Sequence, residues 1–241
     1  MNIGRQRAAK MWFAKGSPWV AGYINITDGT QGFISTTENM ASMFSNNTYT
    51  FSYWMAATVW GNFNTPHEIT TAPSVQAADR SAFYSYAQSG ADVSFDWRYY
   101  QTQGVGGFTV ANFLNGGWFL LSFVYNDSGI NKVYVNNALV AQKSDNDVIT
   151  GWAPAYINCG KRAVPDGKAA TAKLGPIFYY TCPLSITEIS SIYANGPAAK
   201  NNNTSSLLLA HCFHSVDGTN TFDDVSGSTG NILGGAIWSQ F

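Results

Sequence analysis

Residue types that commonly perform catalysis are sparse in this 241-residue chain, which has three histidines, three cysteines and three glutamates. No Gly-x-Ser-x-Gly segment, the turn that exposes a nucleophilic serine, is present. Residues 211–214 read His-Cys-Phe-His, which puts Cys212 and His214 on one face of a strand and His211 on the other. Two ligands on one face could begin a metal site, but no second pair follows at ligand spacing. We therefore interpret these residues as a buried cysteine and a packed histidine.

The composition indicates a single all-β domain. Only 11% of residues are charged and 15% are aromatic, while Asn, Ser, Thr and Gly fill the polar positions that strands and turns require. A chain of this length can bury a substantial core without cross-links, and an odd number of cysteines argues against a disulfide framework. No segment predicts a signal peptide or a membrane span. We predict one domain over residues 21–241.

The charge is unevenly distributed along the chain. The net charge is −1, yet no acidic residue precedes Asp28. We predict that residues 1–20 form a basic, partly aromatic arm that anchors the chain to a larger particle or surface; a frayed terminus is the alternative. The anchoring residues would be Arg5, Arg7, Lys10, Trp12, Phe13 and Lys15. The body has no basic stripe and is not predicted to bind nucleic acid.

Alternation of apolar and polar residues with a period of two predicts strands through most of the chain. In residues 49–56, the odd-numbered positions are all large apolar or aromatic residues. In residues 95–100, odd-numbered aromatic residues lie opposite Asp96, Arg98 and Tyr100. Each segment therefore predicts a strand with one face directed into a core.

Turn residues and one helical segment separate these predicted strands. Turns are predicted at 126–129 and 136–137, and Pro176 predicts a strand edge or a bulge. A short helix is predicted near 185–194, because Ser185 and Glu188 have the spacing of a capping box. Apolar residues at helical spacing follow, and Gly196 ends the segment.

The order of several motifs resembles the laminin-G-like, concanavalin A-like lectin and glucanase superfamily. The motifs are Tyr53-Trp54, Trp118, 134–137, 157–160 and 184–193. Asn137 and Cys159 stand where glycine is usual in the superfamily, and Trp118 takes a position that is part of its core. The resemblance covers residues 31–196 and implies a jelly-roll β-sandwich of two antiparallel sheets.

The first strand of that superfamily resembles residues 207–238, which here lie near the end of the sequence. Two arrangements follow. The jelly roll is circularly permuted and this segment pairs within its own sandwich, or the segment fills the same place in a neighbouring subunit. We favour the arrangement within one chain.

The superfamily includes glycanases, so we tested the sequence for the carboxylates that glycoside hydrolysis needs. Two carboxylates must flank the scissile bond, and laminarinase-type members carry Glu-x-Asp-x-x-Glu on one strand. Glu38, Glu68 and Glu188 have no such spacing. We predict that the protein is not an enzyme.

Many relatives bind Ca²⁺ through aspartate and asparagine residues in loops. Asp217, Asp223 and Asp224 could do so, but Asx turns explain them equally well. No metal or other cofactor is predicted.

A sugar-binding surface is the remaining kind of site that the residues suggest. Sugars stack on aromatic rings and form hydrogen bonds with Asp, Asn and Arg. If the aromatic residues of 95–99 point inward, Asp96, Arg98 and Tyr100 line an outer, concave surface. The next loop would add Trp60, Asn62 and Asn64 at its rim. The alternative is that these are ordinary core and surface residues.

From fold-level analogy, we expect a non-enzymatic virion-surface protein that decorates the head of a phage or contributes to attachment. Its partners would be other virion proteins, further copies of itself and host glycans. The alternative is a free-standing, lectin-like carbohydrate-binding module at a cell surface or in the extracellular space. A second alternative, a degenerate glycanase, is disfavoured by the missing carboxylates.

Overall fold

The computed structural model describes residues 22–27, 32–36, 48–60, 67–70, 80–99, 103–144, 156–159, 170–199, 206–211, 213, 220–222, 229–233 and 237–241. These residues form two antiparallel sheets and one α-helix. Sheet A contains β1 (Gly22–Ile26), β3 (Tyr49–Trp60), β8 (Phe119–Asp127), β9 (Ile130–Val135), β10 (Ala138–Ser144), β12 (Ala170–Tyr180), β13 (Leu207–His211) and β16 (Ile237–Gln240). Sheet B contains β2 (Gly32–Thr36), β4 (His67–Thr70), β5 (Arg80–Ser89), β6 (Asp92–Tyr99), β7 (Gln103–Val110), β11 (Tyr156–Cys159), β14 (Asn220–Phe222) and β15 (Thr229–Leu233).

The strand order is β10-β9-β8-β3-β12-β1-β16 in sheet A and β14-β15-β2-β11-β4-β5-β6-β7 in sheet B. In sheet A, β13 also pairs with β12. Two antiparallel sheets with one short helix confirm the predicted jelly-roll sandwich. No helix in the described part of the chain is both long and apolar enough to cross a membrane.

Aromatic side chains fill the core between the two sheets, as the alternation in β3 and β6 predicts. Phe51 on β3 stacks on Phe123 on β8, with ring centroids 4.5 Å apart. Trp97 on β6 meets Phe123 edge-on at 5.3 Å. Offset and edge-on contacts are the favoured aromatic geometries, so these rings join sheet B to sheet A.

A second core covers the outer face of sheet A, the face that points away from sheet B. Helix α1 (Ile186–Asn195) buries Ile189 and Ile192 there, next to Trp54 and Tyr180. The central strand β3 is therefore buried on both faces, which explains why Thr50 and Ser52 are also fully buried.

The predicted capping box starts helix α1. The backbone N–H of Glu188 donates to the Ser185 hydroxyl at 3.3 Å, and the backbone N–H of Ser185 donates to the Glu188 carboxylate at 2.8 Å. Gly196 ends the helix with a positive φ of 78° and donates its N–H to the Tyr193 carbonyl. Thr50 fixes the approach to the helix, because its hydroxyl accepts from the Leu184 N–H at 2.8 Å.

The turns and the bulge lie where the sequence predicts them. Ser128 and Gly129 form the two-residue turn between β8 and β9, with positive φ at both residues. Asn136 has a φ of 58° between β9 and β10. The register between β12 and β3 shifts between Leu174 and Ile177, which places a bulge at Pro176.

The C-terminal segment packs within its own chain and contributes to both sheets. β13 pairs with the second half of β12, and β16 pairs with β1. β14 and β15 extend sheet B beyond β2. In this single chain the segment pairs with its own strands, and the choice between this arrangement and exchange with a neighbouring subunit stays a prediction.

Candidate functional site

The predicted groove residues on β6 lie on the outer face of sheet B, the face that points away from sheet A. Val93, Phe95 and Trp97 are buried in the core, and Asp96 between them is partly exposed. Position 98 belongs to the same face as Asp96, because successive residues of a strand alternate between faces. The structure therefore brings the positions of Asp96 and Arg98 to one outer face. Tyr100, Asn62 and Asn64 lie outside the described residues.

Strand register extends position 98 into a row that crosses sheet B. Arg98 pairs with Ala82 on β5, Ala82 pairs with Glu68 on β4, and Glu68 pairs with Asn158 on β11. Neighbouring strands lie about 4.8 Å apart, so the row from position 98 to position 158 spans roughly 15 Å of sheet B.

Trp60 is the predicted site residue that the structure contradicts. It was expected at the rim of the groove, but its side chain is only 1% exposed and meets Phe113 edge-on at 6.3 Å in the core. The cause is a bulge in β3, where the register with β12 passes from Ala57 to Val59 in one step. A bulge reverses which face the following residues occupy, so Trp60 turns inward.

The remaining predicted residues lie outside the described part of the chain. These are the arm residues Arg5, Arg7, Lys10, Trp12, Phe13 and Lys15, and the loop aspartates Asp217, Asp223 and Asp224. Within the described residues, no group of three or more His, Cys, Asp or Glu side chains could hold a metal ion. Anchoring by the arm and Ca²⁺ binding therefore stay as sequence-based hypotheses.

A cluster of three aromatic rings on the outer face of sheet A was not anticipated from the sequence. Tyr23, Trp118 and Phe241, which we call the aromatic platform, are in mutual contact. The ring centroids are 5.8 Å apart for Tyr23 and Trp118, and 5.1 Å apart both for Tyr23 and Phe241 and for Trp118 and Phe241. Phe241 is 37% exposed, and the other two rings are partly exposed.

Local sequence explains how each ring reaches this face. In β1, Ile24 and Ile26 are buried in the core, so Tyr23 between Gly22 and Ile24 points outward. β16 pairs with β1 so that Phe241 follows the outward-facing Ser239. The Asn25 amide donates to the Ser239 hydroxyl at 2.8 Å, which ties the two strands together on this face.

Gly175 on β12 makes room for the third ring. A Cβ atom added there would lie 3.0 Å from the ring of Trp118 and 2.9 Å from the Cβ of Trp54. Trp118 itself packs against the second core next to helix α1. Tyr193 on α1 stacks on Trp54 with a centroid distance of 5.9 Å and is 36% exposed, so aromatic surface continues from the platform toward the helix.

Polar groups without a partner among the described residues lie beside the platform. The Nζ atom of Lys173 lies 5.2 Å from the centroid of the Tyr23 ring, and this exposed residue forms no ion pair within the described part of the chain. The Trp118 indole N–H and the Tyr23 hydroxyl likewise have no hydrogen-bond partner among the described residues. The site therefore offers aromatic surface, two hydrogen-bonding groups and one cation to a ligand.

Sequence reasoning could not find this site, because its residues come from β1, the segment before β8, β12 and the end of β16. The family resemblance gives Trp118 a core position, and the sequence alone leaves open whether it lies in the core or on a binding surface. The one local signal was the alternation in residues 22–26, where Tyr23 and Asn25 share a face opposite Ile24 and Ile26.

Two described side chains on β9 have a shifted pKa. Lys132 forms an ion pair with Asp127, and the hydrogen bond in that pair raises the pKa of Lys132 above its ordinary 10.5. Burial raises the pKa of Tyr134 above its ordinary 10.0. Both groups keep their protons at neutral pH, so they act in stability and not in acid–base chemistry.

Comparisons with known proteins support the fold. No protein-family model and no curated protein matches this sequence. By structure, the chain is similar to a candidate carbohydrate-binding protein from Bacteroides ovatus ATCC 8483, with a TM-score of 0.64 and 13% identity, over 93% of this chain and 61% of that one. It is also similar to the native heptameric SAP-like pentraxin from Limulus polyphemus, with a TM-score of 0.57 and 9% identity, over 91% of this chain and 99% of that one.

These comparisons support the jelly-roll fold. The chain spans about three fifths of the length of the Bacteroides ovatus protein. At sequence identities of 13% and 9%, the comparisons support a shared fold and do not support a shared function.

Proposed function

We propose that the protein is a non-enzymatic, lectin-like module that binds carbohydrate at the aromatic platform. The observation that carries this proposal is the cluster of Tyr23, Trp118 and Phe241. The Trp118 N–H, the Tyr23 hydroxyl and the Lys173 ammonium lie beside it, without a hydrogen-bond or ion-pair partner among the described residues. The free-standing lectin-like module, an alternative in the sequence analysis, thereby becomes the preferred function.

The aromatic platform has the kinds of groups that a sugar-binding surface needs. A pyranose ring has apolar C–H faces and a rim of hydroxyl groups, so it needs a flat apolar surface with hydrogen-bonding groups at its edge. Phe241 supplies the most exposed ring of the three. Trp118 and Tyr23 supply a donor and a donor–acceptor. Aromatic residues with a polar end are typical of binding surfaces that combine both kinds of contact.

The non-enzymatic part of the proposal is supported by where the described carboxylates lie. Glu188 is occupied by the capping box of α1, and Asp127 pairs with Lys132. Asp92 accepts a hydrogen bond from the backbone N–H of Asn112 at 2.7 Å. These three carboxylates stabilise the structure, which leaves them unsuited to the paired acid and base that glycoside hydrolysis requires.

The candidate carbohydrate-binding protein from Bacteroides ovatus gives this proposal further support at the level of the fold. It does not indicate which face is used. The outer face of sheet B, with Asp96 and Arg98, is the competing location within the same function.

A glycan array with the purified chain, followed by calorimetric titration of the strongest hit, tests the proposal. Phe241→Ala removes the exposed stacking ring, and we expect it to weaken binding about tenfold or more, the loss typical of a central contact residue. Leu139→Ala is the matched control, because Leu139 is also exposed, at 47%, but lies on the edge strand β10.

Two results would contradict the proposal. An array with no glycan bound argues against the function itself. A glycan whose affinity is unchanged by Phe241→Ala but reduced by Asp96→Ala or Arg98→Ala places the site on sheet B instead.

The virion-surface expectation rests on residues 1–20, which the structure does not describe. It remains a prediction about location and partners, and deleting residues 1–20 tests it by the loss of particle association.

A further inference from the structure

We infer that the aromatic platform selects acidic sugars, namely glycans with a carboxylate, and that Lys173 is the residue that recognises the charge. This inference rests on the proposed function and names the ligand class of the same site. It follows from the position of Lys173, from the lack of an ion pair between Lys173 and the described residues, and from the arrangement of the rings around it.

Lys173 is held at the platform by strand geometry. It follows the buried Ala172 and precedes the buried Leu174 on β12, so its side chain leaves the outer face of sheet A. It pairs in register with Asn25 on β1. Its Nζ atom lies 5.2 Å from the centroid of the Tyr23 ring, a distance at which a cation is attracted to the ring face.

The charge of Lys173 is not neutralised by the described carboxylates. Within the described part of the chain, Lys173 forms no ion pair. Three of the described carboxylates are engaged elsewhere: Asp92 with Asn112, Asp127 with Lys132, and Glu188 in the helix cap. Among the described residues, the Lys173 ammonium at the platform therefore has no ion-pair partner.

The arrangement of the rings separates stacking from charge recognition. Because the ammonium of Lys173 lies against Tyr23, Phe241 is the ring most open to a sugar face. Tyr23 touches Phe241 at a centroid distance of 5.1 Å, so the ammonium lies one ring away from the stacking surface. A sugar on Phe241 would direct a carboxylate toward Lys173, and a charge-assisted hydrogen bond would form there.

A panel of matched glycans tests this inference. Tetragalacturonate, a hyaluronan tetrasaccharide and 3′-sialyllactose are each titrated beside their methyl esters, which keep the sugar and remove the charge. We expect at least one acid to bind about fivefold to tenfold more tightly than its ester, with a preference that declines as salt screens the charge.

Variants assign that preference to a residue. Lys173→Gln should abolish the difference between acid and ester, Lys173→Arg should retain it, and Phe241→Ala should weaken both forms. Lys143→Gln, which removes a lysine from β10, is the control for the change in net charge.

The outcomes separate this inference from the proposed function. Esters that bind as tightly as acids, or an acid preference that survives Lys173→Gln, overturn the selection of acidic sugars while leaving glycan binding intact. If neither the panel nor a neutral glycan array shows binding, the proposed function fails together with this inference.

Discussion

The aromatic platform requires a glycine at position 175. Trp118 lies over β12 only because position 175 has no Cβ atom, and the same gap accommodates Trp54 of the second core. Gly175 thus leaves space on the outer face of sheet A both for Trp54, next to helix α1, and for Trp118 of the aromatic platform. Close packing of this kind leaves little freedom to absorb an added methyl group.

Gly175→Ala should therefore lower stability and glycan affinity together. The new Cβ would lie 2.9 Å from the Trp54 Cβ and 3.0 Å from the Trp118 ring, and overpacking of this type costs about 1–3 kcal/mol. Thermal unfolding and calorimetric titration measure the two effects.

Gly90→Ala is the control: Gly90 has a φ of 61° and open space around it, so strain alone should cost about 1 kcal/mol and leave binding unchanged. Equal affinities in wild type and Gly175→Ala would contradict the role of Trp118.

Single residues differ in how far the sequence predicts them. Ser185 and Glu188 could be identified because a capping box is a local interaction over four positions, and the structure contains both of its hydrogen bonds. Tyr23 and Phe241 could not be paired, because their contact depends on β16 lying beside β1. Long-range pairing of edge strands has no short-range signature in the chain.

Among the elements, the β8–β9 hairpin has an electrostatic contact that makes its stability depend on pH. Asp127 and Lys132 flank the turn at Ser128 and Gly129 and form an ion pair. The hydrogen bond to Asp127 raises the pKa of Lys132 above 10.5, and burial raises the pKa of Tyr134 above 10.0. For both groups, the folded state holds its proton more tightly than the unfolded state does.

Stability should consequently fall as the pH rises above about 10. The contribution of a group with a raised pKa is fully present below its unfolded pKa and is lost as the pH passes through the folded value. Asp127→Asn should lower stability at pH 7 by about 0.5 kcal/mol, since both side chains are partly exposed. It should also reduce the loss of stability above pH 10, measured by urea unfolding. A variant with the same alkaline loss as wild type would show that Lys132 does not contribute to it.

Bulges limit how well the alternation of apolar and polar residues predicts which side of the sheet a residue faces. The alternation in β3 correctly assigns Tyr49, Phe51, Tyr53 and Met55 to the core. It fails at Trp60, because the bulge after Ala57 shifts the register by one residue. Pro176 gave a usable signal for the bulge in β12, since proline cannot donate to the ladder, but Thr58 and Val59 have no comparable feature.

At the scale of the whole molecule, the C-terminal segment completes both sheets. β13 and β16 extend sheet A, and β14 and β15 extend sheet B. β16 is fastened by the Trp238 indole, which donates to the Phe213 carbonyl and lies against Gly22. Because Phe241 follows β16, the ligand site depends on this segment being in place.

Packing of this segment within its own chain should make its protection independent of protein concentration. We expect backbone amides of β13 and β16 to exchange hydrogen slowly, with equal rates at low and high micromolar protein. Hydrogen–deuterium exchange with mass spectrometry measures this. Protection that declines on dilution, together with a dimer in light scattering, would indicate strand exchange between subunits.

The fold was more predictable than the site for a physical reason. Periodicity, turn residues and the capping box act locally, and each indicates a sandwich with one helix. The site is a property of the assembled sheet, where the three rings of the platform and Lys173 meet on one face from four separate segments. The positions of Asp96 and Arg98 share the outer face of sheet B, as the alternation in β6 predicts. A shared face follows from strand geometry alone and is not evidence that a ligand binds there.

The most direct test of glycan binding at the platform is to follow the tryptophan indole N–H signals by NMR during a glycan titration. Eight tryptophans give up to eight such signals, and Trp118→Phe and Trp97→Phe assign two of them. The account predicts that the Trp118 signal shifts with saturation, because its N–H has no hydrogen-bond partner among the described residues, while the signal of the buried Trp97 does not move. Saturable binding that leaves the Trp118 signal unchanged and shifts the backbone amides of Asp96 and Arg98 would contradict it.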